Sequence, residues 1–138
     1  MRWADQLVKL SNFELETLQA RLAKIVERRV EAELKLAVLV AQGEAETALA
    51  RADPEAAWRL PAFNVGLKVR KAEALRRIDL IATEEAGARE ALAEAFETLK
   101  KYEHVAENAR LAAAREAARV ETARLDEMGL RRAAAGRR

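Results

Sequence analysis

The sequence predicts an all-α protein, built as a long antiparallel two-helix coiled-coil hairpin with a short helix at its corner. Three observations lead to this fold class. Alanine, the best helix former, supplies 32 of the 138 residues, whereas turns have only one serine, two prolines and five glycines to draw on. Apolar residues recur at alternating spacings of three and four, which is the heptad pattern of coiled coils. Proline occurs only at Pro54 and Pro61, near the middle of the chain.

The first helix is expected at about residues 3–52. Its apolar seam has one interruption, at Arg29, and consists of Leu15, Leu18, Leu22, Ile25, Ala32, Leu36 and Leu39. Further apolar residues lie beside this seam, at Val26, Val30, Leu34 and Ala41. They indicate either a wider apolar stripe or a shift of the apolar face near Arg29, and the sequence leaves both alternatives open.

The corner is predicted at residues 53–63. Asp53 is a good N-cap and Pro54 suits the first position of a helix, so a short helix is expected at about residues 54–60. Pro61 has no N–H and disfavours helical geometry in the residue before it, so this helix is expected to end there. The apolar residues around Pro61 predict either a small core that closes the corner or an exposed docking site: Trp58, Leu60, Phe63 and Leu67.

The second long helix is expected at about residues 64–130. A heptad register counted from Ile78 is apolar at 12 of 14 positions as far as Ala123. Paired from the corner, the second helix outruns the first by about 16 residues, or roughly 24 Å. Residues 1–132 are therefore predicted to form a single hairpin, and residues 133–138 a flexible basic tail.

Composition excludes several classes of function. The chain has no cysteine and only one histidine and one serine, so neither a nucleophile beside a base nor a thiolate metal site can be assembled. We therefore expect no enzyme activity, no catalytic residue, no cofactor and no metal site. No apolar run approaches the roughly 20 residues needed to span a bilayer, so direct membrane insertion is not expected.

A basic cluster follows the corner: Arg59, Lys68, Arg70, Lys71, Arg76 and Arg77. It could contact phosphate or an acidic protein partner, or be ordinary solvated charge. Aromatic residues for base stacking do not alternate with these cations, so nucleic acid is not an expected partner.

The most distinctive sequence motif of the chain lies in its C-terminal part. Tyr102-Glu103 is followed by Arg115, Arg119 and Arg124, and then by the run Leu125-Asp126-Glu127-Met128-Gly129-Leu130-Arg131-Arg132. Together with an N-terminal helix of the form Leu7-x-x-Leu10 to Arg28-Arg29, this sequence pattern resembles that of the FliJ family. These are the small coiled-coil proteins of the flagellar type III export apparatus.

The resemblance implies a cytoplasmic stalk, similar to the central shaft subunit of rotary ATPases, held at the inner face of the membrane through the export apparatus. Its paired termini would enter the hexameric export ATPase FliI, and another part would contact the export gate protein FlhA and export chaperones. The ATPase contacts it implies are Arg119, Arg124, Asp126, Glu127, Arg131 and Arg132. For the gate contact no family motif matches, and apolar residues near the corner are the candidates: Leu49, Phe63 and Leu67.

Three alternatives stay open at the level of sequence. The chain could be the equivalent stalk of a virulence type III secretion system. It could instead be a binding module that docks through its basic cluster, or a structural coiled coil that dimerises through the alanine-rich end of its second helix.

Overall fold

The computed structural model describes residues 2–137 and contains two long helices packed against each other. Helix α1 spans Arg2–Ala52 and helix α2 spans Pro54–Gly136. The described residues include no strand, so the predicted helical hairpin is confirmed. The chain divides into two compact units: the part of α1 up to Leu15 forms unit 1 with α2 from Glu94 onward, and Glu16–Ala93 form unit 2.

A single residue, Asp53, connects the two helices, as its predicted role of N-cap requires. Its N–H donates to the carbonyl of Leu49 at 3.0 Å and so completes α1. Its carbonyl accepts the N–H of Ala57 at 3.0 Å, and its carboxylate oxygen Oδ1 accepts the N–H of Glu55 at 3.0 Å. Asp53 thus satisfies backbone groups of both helix ends.

The predicted break at Pro61 is absent, and this prediction was wrong. The segments expected as a short helix at 54–60 and a second helix from 64 form one continuous helix, with Pro61 inside it. Pro61 and Ala57 both face solvent, so water can bind the Ala57 carbonyl that a proline four residues later leaves without its helical donor. Burial of Ala56 and Leu67 on either side holds both segments against α1 and favours one helix.

The corner residues do not form a compact satellite core. Trp58 is 87% exposed, whereas Leu60 and Phe63 are half-buried and Leu67 is buried. Leu67 packs close to Gly43 of α1, where an added Cβ would come within 2.6 Å of the Leu67 Cδ2 atom. Glycine at position 43 therefore permits a close approach of the two helices.

The core of unit 2 follows the predicted seam. Burial on α1 recurs through Leu22, Ile25, Arg29, Ala32 and Leu36 at the regular alternation of four and three. The apolar face therefore does not shift at Arg29. The residues beside the seam differ in burial: Val26 is half-buried, whereas Val30, Leu34 and Ala41 are exposed.

Unit 1 pairs mainly small residues. On α1 the buried residues are Ala4, Ser11 and Leu15, and on α2 they are Leu99 and Ala106. The predicted register of α2 matches this burial as far as Ala109, which is half-buried. Alanine buries little area, so each pair here contributes less to stability than a leucine pair.

Helix α2 extends farther than the sequence predicted. It continues to Gly136 rather than ending near residue 130, because Ala133, Ala134 and Ala135 carry the highest helix propensity. Arg138, the last residue of the predicted basic tail, lies outside the described residues. No described helix is long and apolar enough to cross a membrane.

Candidate functional site

The C-terminal part of α2 is the first candidate site, because every residue of it faces solvent. Residues 111–137, here called the free segment, are all exposed. At 1.5 Å per residue the free segment is roughly 40 Å long. Five large apolar side chains lie on it: Leu111, Val120, Leu125, Met128 and Leu130. A helix with exposed apolar residues and no partner in its own chain offers them to another molecule.

These apolar residues lie on two sides of the free segment. Val120 and Leu130 occupy the positions that continue the seam, because they fall in the heptad register of Leu99 and Ala106. Leu125 and Met128 are three residues apart and share a different side of the helix, since each residue advances about 100° around the axis. The free segment can therefore contact a partner on more than one side.

All six residues implied as ATPase contacts lie on the free segment. Two of the arginines are held by carboxylates of the same helix. Arg119 donates from Nη2 to Glu116 Oε1 at 2.7 Å and from Nε to Glu116 Oε2 at 3.1 Å. Arg131 donates from Nη2 to Glu127 Oε1 at 2.8 Å. The hydrogen bonds from Arg119 lower the pKa of Glu116, and the same bonds raise the pKa of Arg119.

The other three implied residues, Arg124, Asp126 and Arg132, make no ion pair within residues 2–137. Arg124 and Arg131 are seven residues apart and lie on the same side as Met128. The free segment thus presents arginines beside exposed apolar side chains, a combination that suits a partner surface with carboxylates and apolar residues.

The residues predicted for the gate contact are separated by burial. Leu49 is exposed, and Phe63 is half-buried, with the Arg70 guanidinium 5.8 Å from its ring centroid. Leu67 is only 5% exposed and belongs to the packing between the helices. Leu49 and Phe63 are therefore the accessible members of this set.

Sequence reasoning missed a groove in unit 2. The groove lies between α1 and α2 and has a volume of about 1130 Å³. Its most exposed apolar lining residues are Leu34, Val38 and Leu80. Arg70, Arg76 and Arg77 of the predicted basic cluster line the same groove. The signal in the sequence was the position of Leu34 beside the seam. The groove was missed because Leu80 and the arginines of α2 come to lie beside Leu34 only through the pairing of the two helices. The sequence does not give that pairing.

We also searched for side chains placed to bind a metal ion. The described residues contain no group of three or more histidine, cysteine, aspartate or glutamate side chains placed to hold a metal ion. His104 lies on α2 among charged residues of unit 1, beside Asp5, Glu103 and Glu107.

Comparison with known proteins gives two related sequences. Both are called Flagellar FliJ protein and come from two strains of Caulobacter vibrioides, NA1000 / CB15N and ATCC 19089 / CIP 103742 / CB 15. Each is 50% identical to this chain over 137 residues, which cover 99% of this chain and 99% of the relative. No family model and no solved structure matches the chain.

Proposed function

The chain belongs to the FliJ family of flagellar protein export components, and on this premise we propose that it is the non-enzymatic stalk of the type III export apparatus. In this role its paired termini insert into the hexameric export ATPase FliI and couple it to the export gate protein FlhA. The observation that carries the proposal is the free segment of α2, which is helical and exposed throughout.

The free segment suits insertion into a ring for two physical reasons. It is a continuous helix as far as Gly136, so a force applied along it is not absorbed by a loop. It also carries apolar side chains on two sides, so more than one subunit of a surrounding ring can contact it. A ring can then favour one conformation of its subunits through differential contacts with the helix.

Arg119, Arg124, Asp126, Glu127, Arg131 and Arg132 are the proposed ATPase contacts. They combine exposed charge with the apolar neighbours Leu125, Met128 and Leu130. Such mixed surfaces gain specificity and association rate from charge, while the apolar residues supply most of the affinity.

The groove of unit 2 is the proposed gate contact, together with Leu49 and Phe63. Its apolar lining, Leu34, Val38 and Leu80, is exposed, and the arginines beside it can pair with carboxylates of FlhA. Flagellar export chaperones are further proposed partners. The proposed location is the cytoplasm, at the inner face of the membrane, where the export apparatus would hold the protein without any span of its own.

Steady-state ATP hydrolysis by the export ATPase, with and without this protein, tests the stalk role. The wild-type chain is expected to stimulate hydrolysis, and R124E/R131E is expected to abolish the stimulation without loss of helix content. The control R21E/K24E changes charge by the same amount on exposed residues of α1 and should stimulate like the wild type. Absence of stimulation by the folded wild-type chain would refute the stalk role, and equal loss in both variants would refute the contact assignment.

Binding to the cytoplasmic part of the gate protein tests the groove. Leu34→Asp with Leu80→Asp should weaken gate binding at least about tenfold, because both side chains lose apolar contacts and introduce charge. ATPase stimulation should persist in this variant. Phe63→Ala should weaken gate binding less, since that ring is half-buried. Unchanged gate binding in the double variant would exclude the groove.

A further inference from the structure

An ion pair lies in the middle of the largest apolar cluster of unit 2. That cluster consists of Ile25, Ala32, Ile81 and Ala88, with Leu22 and Ile78 packed against it. Arg29 lies between Ile25 and Ala32 on α1, and Glu85 lies between Ile81 and Ala88 on α2. Nε of Arg29 is 2.9 Å from Oε2 of Glu85. The small side chains of Ala32 and Ala88 leave room there for the guanidinium and carboxylate groups.

The pair is part of a charge-balanced network. Arg29 donates from Nη1 to Glu33 Oε1 at 3.1 Å, and Arg89 donates from Nη2 to Glu85 Oε1 at 3.1 Å. Next to it, Nη1 of Arg28 lies 3.0 Å from both carboxylate oxygens of Glu84. Two contacts therefore cross between the helices, Arg29 to Glu85 and Arg28 to Glu84.

The Arg29–Glu85 pair is less exposed than the Arg28–Glu84 pair, although the Arg29 side chain is still 29% exposed. The Glu85 side chain is 12% exposed, whereas the side chains of Arg28 and Glu84 are 48% and 39% exposed. The hydrogen bond to Glu33 and the charge of Glu85 raise the pKa of Arg29, which therefore keeps its charge in the seam. Removing charges from water costs free energy, and a well-packed apolar pair at the same place is often as stable or more stable.

A gain in folding stability therefore does not explain why this pair is present. The alignment of α1 with α2 explains it. The seam positions on either side are leucine, isoleucine or alanine, and such layers can pack against one another in more than one alignment. Arg29 and Glu85 meet in only one. Any shift of α1 along α2, or pairing of α1 with a seam of a second copy in another alignment, separates Arg29 from Glu85 and leaves each charge in the seam with only its partner on the same helix.

We propose that the Arg29–Glu85 pair selects the alignment of α1 with α2 and excludes shifted pairing, whether within one chain or with a second copy, at a cost in stability. This inference concerns the fold of unit 2 and does not depend on the proposed function. It assigns Arg29 and Glu85 a role in specificity, which differs from the role of the apolar residues around them.

Disulfide trapping in variants measures alignment directly, because the chain has no cysteine of its own. Gly43 of α1 lies against Leu67 of α2, so Leu36 and Ala74, seven residues before Gly43 and seven after Leu67, are opposite each other in the native alignment. Leu36→Cys with Ala74→Cys reports that alignment, and Leu36→Cys with Leu67→Cys reports a shift of one heptad. Light scattering over a range of concentrations reports dimers.

Three backgrounds carry these cysteine pairs: the wild type, R29L/E85L and R28L/E84L. The last is the matched control, since it makes the same two changes one position away and outside the seam. We expect R29L/E85L to melt at the same or a higher temperature, but to give the shifted cross-link or dimers in amounts comparable with the native product. The wild type and R28L/E84L should give the native cross-link and a monomer.

A monomeric R29L/E85L chain with only the native cross-link would overturn the proposal. If R29L/E85L does not fold, R29M/E85M takes its place, because methionine keeps long flexible side chains at both positions. A monomeric R29M/E85M chain with only the native cross-link would then overturn the proposal. A shifted or dimeric R28L/E84L chain would also overturn it, because the more exposed pair would then matter as much as the less exposed one.

Discussion

Two stretches of the same helix have the same heptad spacing and different environments. On α2, Ile81 and Leu99 are 3% and 5% exposed, whereas Val120 and Leu130, in the same register, are 51% and 72% exposed. The first stretch lies against α1. The second stretch extends beyond the described end of α1, so no described residue of α1 packs against it. The comparison teaches that heptad spacing specifies which side of a helix is apolar, but not whether anything covers it.

The two stretches are also stabilised differently. In the paired stretch, each buried leucine or isoleucine side chain contributes about 1.5–3 kcal/mol. In the free segment, helix propensity and ion pairs within the helix remain, and each such pair adds only about 0.2–0.5 kcal/mol. Damage to the paired stretch should therefore destabilise the molecule, while comparable damage to the free segment should affect only partner binding.

The largest expected effect comes from placing a charge in the seam. Leu99→Asp should destabilise the fold by at least about 4 kcal/mol, since it removes a buried leucine and leaves a carboxylate without a partner. Leu125→Asp makes the same change on the free segment and should shift stability by less than about 0.5 kcal/mol. Urea unfolding followed by circular dichroism measures both. Similar midpoints for the two variants would break the distinction between the stretches.

A smaller effect is expected where the helices approach most closely. Gly66→Ala should stabilise the protein by about 0.5–1 kcal/mol, because the site is open and alanine favours the helix. Gly43→Ala gains the same propensity but forces the buried Leu67 side chain to move, at a cost of about 1–3 kcal/mol. The melting temperature of Gly43→Ala should therefore be clearly below that of Gly66→Ala. If the two coincide, the close approach does not restrict the side chain at position 43.

The smallest effect concerns an ion pair of the free segment. The Arg119 hydrogen bonds lower the pKa of Glu116 below its ordinary value of 4.5. A lowered carboxyl pKa stabilises the folded helix above the ordinary value, and this contribution is lost as the pH falls through the lowered pKa. In NMR titrations, the midpoint of Glu116 should rise toward 4.5 in Arg119→Ala. An unchanged midpoint would show that the pair does not persist in solution.

Much of the fold could be predicted from local residue types. Alanine content, heptad spacing and the Asp53-Pro54 pair predicted two long helices, their seam and the N-cap at Asp53, because each depends on a few neighbours in sequence. The break at Pro61 was wrong, since the preference of one residue was outweighed by packing on both sides of it. The groove was missed for a related reason: Leu34 and Leu80 become neighbours only when the helices pair.

The candidate site was predictable only in part. The six proposed ATPase contacts were named from a resemblance, and they stay a prediction. Some of these arginines are held by Glu116 and Glu127, whereas Arg124 and Arg132 make no ion pair with any residue from 2 to 137. This division required the positions of the side chains. Leu67 illustrates the opposite case, since an apolar residue near a corner can equally be exposed or, as here, buried against a glycine of the other helix.

The sequence by itself determined that this chain is helical, which side of each helix is apolar, and that it has no cysteine for thiolate chemistry. These properties follow from helix propensity, residue spacing and the kinds of side chain present. The tertiary structure decided which part of α2 is covered, which ion pair is less exposed and where a groove forms. Those outcomes depend on which residues of the two helices lie opposite each other, a relation set by packing across the whole seam.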